Sequence, residues 1–261
     1  MRLAAAFAAL AIAWSSMTPA LALEPQQETI QIGLSTDRIA ITADFAGADL
    51  TIFGAIENTD PLLSRQGRYD VIVVLEGPAR PVVVRRKDRM LGMWINLQSE
   101  TFENVPVSYS VATTRPWQDI TDPSKYRQLS LGSDNLHIRP VDGSENPATI
   151  EEFTAALRDR KKATGLYSER IGGVQFLSAN LFRARLSLAP NVPVGTHRAR
   201  AFLFRNGVFV KETSAQLAIY KSGFEQTIYR FASNHSFWFG VFAVALAMLT
   251  GWLGRIIFRR D

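Results

Sequence analysis

The stretch "YDVIVVLEGP" (residues 69–78) decides the fold. It is a nearly continuous β-branched run closed by Gly77-Pro78, the pattern of a central strand covered on both faces. Working outward, "ETIQIGLS" (28–35) and "RIAITADF" (38–45) alternate apolar and polar residues. "ADLTIFGAIE" (48–57) puts Leu50, Ile52 and Ile56 on one face. "RPVVVRRKDRMLGMWINL" (80–97) reads as two strands around a charged turn, and "VPVSYSVATT" (105–114) follows. Turn formers at Ala46-Gly47-Ala48, Asp60-Pro61 and Gly77-Pro78 separate these runs. Short alternating strands at this spacing predict a mainly β fold, an antiparallel β-sandwich of immunoglobulin-like kind over residues 23–115.

The pattern changes over 116–170. In "SENPATIEEFTAALRDRKKATG", Thr149 and Glu152 have capping-box spacing, Ile150, Phe153 and Leu157 share a helical face, and Gly165 is a stop. Thr154 is the polar break in that stripe. The basic end of the helix suits the macrodipole. Strands return over 171–222, with Asn206-Gly207 as a two-residue hairpin turn. One sandwich with a helical insertion and two β domains with a helical linker both fit this order.

The two ends carry an address. Arg2, the apolar Leu3–Trp14 run, Pro19 and the small pair Ala20 and Ala22 make residues 1–22 a secretory signal peptide cleaved after Ala22. "SFWFGVFAVALAMLTGWL" (236–253) carries no charge. With Ile256, Ile257 and Phe258 it predicts a transmembrane helix over 236–258. Trp238, Trp252 and Arg255 are its membrane-interface residues. Arg255, Arg259 and Arg260 put the short tail, 259–261, in the cytoplasm, so the domain faces the periplasm from the bacterial inner membrane. Before the helix, Phe224, Ile228 and Phe231 give 223–235 the spacing of a juxtamembrane amphipathic segment. Removing Arg2 and the three tail arginines from the 29 Lys and Arg, and Asp261 from the 24 Asp and Glu, leaves 25 against 23. The middle is thus only +2, which argues against a nucleic-acid footprint. Cysteine is absent, which excludes thiol nucleophiles and Cys-ligated metals.

Little in the sequence carries catalytic chemistry. There is no nucleophile elbow, P-loop, zinc helix or dinucleotide fingerprint. His137, His197 and His235 are far apart, and no carboxylate cluster has metal-ligand spacing, so no catalytic residue, metal or cofactor is expected. The most pointed feature is Arg85, Arg86, Lys87 and Arg89. As a solvated turn it protects a sheet edge. As a site, Arg85, Arg86, Arg89 and Trp94 bind an anion or an acidic partner, with Trp117, Arg80, Arg198 and Arg200 joining if the chain brings them near. In the membrane helix, Ala243, Ala247 and Gly251 recur every four residues, a spacing that admits a second helix closely.

"ITADFAGADLTIFGAIE" (41–57), "YDVIVVLEGP" (69–78), "RRKDRMLGMWIN" (85–96) and "LAPNVPVGTHRARAFLFRNG" (188–207) carry a resemblance. In them the whole chain resembles an alphaproteobacterial family of transmembrane proteins with no assigned activity. The resemblance implies the signal, β domain and helix layout, and a neighbouring sulfite-exporter-like permease as partner. It brings no catalytic residues. The expected function is non-enzymatic: a single-pass protein whose periplasmic β domain binds a protein, as accessory subunit of a multi-span permease. A periplasmic receptor for a small anion is the alternative, and an envelope hydrolase is the third.

Overall fold

In a computed structural model of the chain, residues 27–90, 92–142, 146–223 and 232–257 are described. The signal-peptide stretch 1–22, most of the juxtamembrane segment and the tail 259–261 lie outside them. Among the described residues, thirteen strands form three sheets. The four-stranded sheet has the order β1 (Thr29–Leu34), β3 (Ala48–Glu57), β11 (Leu181–Leu188), β10 (Val174–Phe176). The six-stranded sheet runs β2 (Arg38–Ile41), β13 (Val208–Lys221), β12 (Gly195–Arg205), β4 (Tyr69–Glu76), β7 (Tyr109–Thr113), β9 (Tyr167–Ile171). The third joins β5 (Ala79–Met90), β6 (Met93–Pro106) and β8 (Arg139–Pro140). Because β11 pairs with β3 and β12 with β4, the early and late strands build one sandwich.

Alternation explains the packing. Tyr69, Val71, Val73 and Leu75 of β4 face the four-stranded sheet and meet Leu50, Ile52, Ile56, Phe182 and Leu186. Ile72 and Val74 face the other way, with Phe202 and Phe204 of β12. That second face needs its own cover, and the chain between β7 and β9 supplies it. A short helix, α1 (Pro61–Arg65), lies between β3 and β4; helices α2 (Trp117–Ile120) and α3 (Pro123–Leu129) and the residues to Ile138 lay Ile120, Tyr126, Leu131 and Leu136 over that second face. The same stretch has a topological task. β7 and β9 are parallel, so their connection must cross over, which a hairpin cannot do. β2 and β13 are also parallel, so the sandwich departs from a purely antiparallel pattern at both edges of its larger sheet.

The helix predicted after residue 146 is α4 (Pro147–Ala163). Phe153 and Leu157 are buried and Ile150 packs beside them, against Phe102 and Val105 of β6. Thr154 donates its hydroxyl to the Ile150 carbonyl (2.7 Å), which satisfies the polar break. Gly165, at φ +73°, ends the turn. The capping box is corrected: Asn146 is the N-cap and accepts from the Ala148 N–H (3.1 Å), with Pro147 in the first turn. Asn followed by Pro outcompetes threonine because proline's fixed φ already suits the first helical position. Glu152 pairs with Arg86 instead (3.3 Å).

Asn206-Gly207 turns β12 into β13 with φ of 50° and 81°, the paired positive values of a tight hairpin turn. In the four-stranded sheet, Gly54 lies under the Phe182 ring: a Cβ there would sit 2.2 Å from Phe182 Cζ and 2.7 Å from the Gln31 carbonyl oxygen. Gly54→Ala should therefore overpack the core, costing about 1–3 kcal/mol. Thermal unfolding of the detergent-solubilised chain, followed by circular dichroism, checks it; an unchanged midpoint would mean that Phe182 moves aside freely.

Candidate functional site

Three features stand out from the sandwich. The first is the β5–β6 arm. Its ladder continues that of β4 and β7: Glu76 pairs with Tyr109, the Gly77 N–H donates to the Ser108 carbonyl (2.9 Å), the Val107 N–H donates to the Pro78 carbonyl (3.1 Å), and Ala79 pairs with Pro106. The arm is thus the β4–β7 hairpin prolonged past the end of the sandwich. The charged turn is corrected here. Met90 pairs with Met93, Gly92 between them has φ +82°, and the basic residues lie inside β5. Strand alternation then splits them. Arg85, Lys87 and Arg89 are exposed on one face, and Trp94, directly across from Arg89, shares it. Arg86 is on the opposite face, held by Asp88 (3.4 Å) and by Glu152 of α4 (3.3 Å).

The remaining residues considered with them go elsewhere. Trp117 packs edge-on against Tyr126 in the helical layer, 4.9 Å between ring centres. Arg200 of β12 is engaged by Glu212 (2.7 Å) and Glu76 (3.8 Å) and stacks on Phe202. Burial raises the Glu76 carboxyl above its ordinary range, and Arg200 opposes that rise. Arg198 is exposed on the same strand, and Arg80 is exposed at the root of the arm. The cations of the arm line an open strand face instead of converging on a cavity. Met90, Met93, Trp94 and Leu97 are the exposed apolar residues at its tip, with Met93 64% and Trp94 69% exposed.

The second feature is a buried polar knot around His197, which in the sequence stands far from the other histidines. His197 is fully buried at the root of the arm. Its Nδ1 lies 3.2 Å from the Gly195 carbonyl, which can only accept, so Nδ1 carries the proton. Nε2 then accepts from the Ser108 hydroxyl (3.0 Å). Burial lowers the imidazole pKa and keeps it neutral. The geometry resembles a Ser–His pair, but a carbonyl stands where a carboxylate would orient the base, and both residues are buried, His197 completely. Gly77 closes the knot: a Cβ there would be 2.6 Å from Ser108 Oγ and 3.1 Å from His197 Nε2. Two glycines flank Pro78 and His197 in the sequence, but only the contact across strands reveals their use.

The third feature is helix α5 (Ser236–Ile257). Its Ser236–Gly254 portion is long and apolar enough to cross a membrane, and none of its most apolar window is buried against the protein. Nineteen residues rise roughly 28 Å, close to the hydrocarbon thickness. Trp238 and Trp252 are both exposed near its ends. Ala243, Ala247 and Gly251 lie exposed on this helix, with nothing near a Cβ built on Gly251. Thr250 returns its hydroxyl to the Leu246 and Ala247 carbonyls (2.9 Å each), so its polarity costs little in an apolar medium. Among the described residues, no group of three or more His, Cys, Asp or Glu could hold a metal ion.

A family model described as "Putative transmembrane protein (Alph_Pro_TM)" matches residues 29–260. No curated protein sequence matches the chain. Among solved structures, it is similar to AggA, the major subunit of aggregative adherence fimbriae type I from Escherichia coli. That likeness is at 8% identity and a TM-score of 0.27, over 76% of this chain and 98% of that one. It is also similar to the N-terminal domain of the Streptococcus gordonii adhesin Sgo0707, at 7% identity and a TM-score of 0.25, over 75% of this chain and 33% of that one. Scores this low carry no argument, and the fold rests on the strand pairing above.

The knot at His197 makes stability depend on pH. The folded imidazole has a depressed pKa, so the unfolded chain binds the extra proton. Stability is full above the unfolded pKa of about 6.5 and falls as pH drops below it. The melting midpoint should fall between about pH 7.5 and about pH 5.5, and His197→Gln should flatten that slope while lowering the midpoint at neutral pH. A slope unchanged in His197→Gln would place the acid sensitivity in another group.

Proposed function

Because the chain belongs to the alphaproteobacterial family of transmembrane proteins that matches it over residues 29–260, we propose that it is a non-enzymatic, single-pass inner-membrane protein. Its β-sandwich stands in the periplasm and binds a protein partner. The observation that carries this reading is the α5 helix. It presents apolar side chains all around, including Phe237, Trp238, Phe242, Leu246 and Met248, and none of the most apolar window of its Ser236–Gly254 span is buried. Lipid or other membrane helices have to bury that surface, since a helix apolar on every side is unstable in water. The leader and the arginines after the span support a periplasmic domain with a cytoplasmic tail.

Protein binding is supported by what the sandwich leaves bare. The helical layer covers the outer face of the six-stranded sheet, but Phe53, Leu177 and Leu181 are exposed on and beside the four-stranded one. Apolar groups gathered on an open sheet face suit contact with another protein. Within the membrane, the Ala243, Ala247 and Gly251 face suits a second helix, so the partner is a multi-span membrane protein and this chain its accessory subunit. The resemblance to a family linked with sulfite-exporter-like permeases gives the class of that partner.

Two measurements test the reading. A reporter active only outside the cytoplasm should be active when fused after Gly223 and silent after Asp261; the reverse pattern removes the topology. Affinity purification from native membranes should recover a multi-span protein. Ala243→Leu, Ala247→Leu and Gly251→Leu together should keep the chain in the membrane while most of the partner is lost, because added bulk blocks close helix approach. Full recovery of the partner would move the contact from the helix to the sandwich.

A further inference from the structure

The geometry points to the β5–β6 arm as a second membrane contact, a finger whose basic face docks on anionic phospholipid headgroups of the leaflet that α5 enters. This inference rests on the reading of α5 as a membrane span and adds a lipid ligand for the sandwich itself.

Position comes first. β13 ends at Lys221, and its last residues pair with the start of β12, where Gly195 faces Ile219. Gly195 also closes on Pro78, with a Cβ there 2.9 Å from Pro78 Cγ. The chain therefore leaves for the membrane helix at the end of the sandwich from which the arm emerges. Residues 224–235 are the only chain between Gly223 and α5. Twelve residues reach at most about 40 Å, and the twelve residues of β5 span roughly the same length. The tether thus holds the arm within its own length of the bilayer surface.

Charge and chemistry come next. Arg85, Lys87 and Arg89 repeat at every second position, so all three project from one face. Their cross-strand neighbours on that face are Ser99, Asn96 and Trp94, none of them acidic. Among the described residues none of the three cations forms an ion pair, whereas Arg86 on the other face is paired twice. Of the arm's acidic residues, Asp88 and Glu100 lie on the Arg86 side, with α4, whereas Glu103 lies on the basic face but at the root of the arm, four residues along β6 from Arg85's neighbour Ser99 and across from Arg139 of β8. Beyond the cations the tip exposes Met90, Met93 and Trp94. Cations behind a tip of methionine and indole match the layering of a membrane interface, where headgroup phosphates lie outside the first apolar carbons. An acidic protein would use the cations but would leave the apolar tip without a role.

The absence of cysteine allows a direct test on the full chain. Met93→Cys carries an environment-sensitive fluorophore at the tip, and Gln66→Cys carries it at the opposite end of β4 as control. Each labelled protein is reconstituted into vesicles of phosphatidylcholine alone, or of phosphatidylcholine and phosphatidylglycerol in equal parts, with a quencher on the lipid chains. Alkaline extraction first confirms insertion; a chain that fails to insert refutes the membrane-span reading, whereas an inserted chain tests the finger alone. The tip label should be quenched in the phosphatidylglycerol vesicles, less in phosphatidylcholine, and less again in high salt, while the control label is not quenched. Each cation near an anionic surface favours contact about fivefold, so Arg85→Gln, Lys87→Gln and Arg89→Gln together should shift the docked-to-undocked ratio roughly a hundredfold. The same triple variant should keep its melting midpoint, because the three side chains are exposed and unpaired. Equal quenching in both vesicles, or quenching that survives the triple substitution, overturns the proposal. So does an unquenched tip, and capture of an acidic protein by these same three residues would then assign the face to a protein.

Discussion

The ladder that passes from β4 and β7 into β5 and β6 at Gly77 and Ser108 is the constraint on which the rest depends. At that waist the two strands leave the sandwich without breaking their hydrogen bonds, and His197 from β12 is tied to Ser108 across them. The side-chain space above Gly77 is already occupied by Ser108 and His197, so any Cβ there would force them apart. Holding the waist holds the direction of the arm, and the same region contains the exit of β13. One buried polar contact thereby relates a sheet core, a protruding surface and the membrane anchor. A neutral histidine suits the role because its two nitrogens accept and donate at once, which satisfies both neighbours without a buried charge.

Double-sided burial of β4 has consequences for the whole middle of the chain. With Tyr69, Val71, Val73 and Leu75 turned toward one sheet and Ile72 and Val74 toward the other side, a two-layer sandwich would leave a hydrophobic face in water. The segment between β7 and β9 answers this as a third layer. The parallel pairing of β9 makes that crossover obligatory, so cover and connectivity are one feature. α4 then extends the layer over the arm through Phe153, Leu157, Phe102 and Val105. The inner half of the arm is therefore packed on one side, and its outer half keeps Met93, Trp94 and Leu97 in the open.

Much of this was legible in the sequence because it depends on local periodicity. The β4 run, the alternation in β3, the stripe of Ile150, Phe153 and Leu157, the Asn206-Gly207 turn and the uncharged span at 236–253 each record a residue's immediate environment. Errors came where two local signals competed or where a partner lay far along the chain. The cap of α4 went to Asn146 because the following proline favours helix entry there. The hairpin turn moved from the basic residues to Gly92, since alternating cations also read as an exposed strand face. β9 was missed within the helical stretch, because five residues with only Tyr167 buried carry little strand pattern.

By itself, the sequence determined that this is a mainly β protein with a central strand within 69–78, an amphipathic helix between Thr149 and Gly165 and an apolar span within 236–258. Those properties follow from the order of side chains along a short length of chain, since helix and strand periods are set by backbone geometry. Only the tertiary structure decided that the late strands complete the same sandwich as the early ones. It alone separated Arg86 from Arg85, Lys87 and Arg89, and brought Ser108 and His197 together across 89 residues. These outcomes depend on register and on long-range pairing. A one-residue slip in register turns every side chain of a strand to the other face, and short stretches of sequence hold no record of which distant strand will be the neighbour.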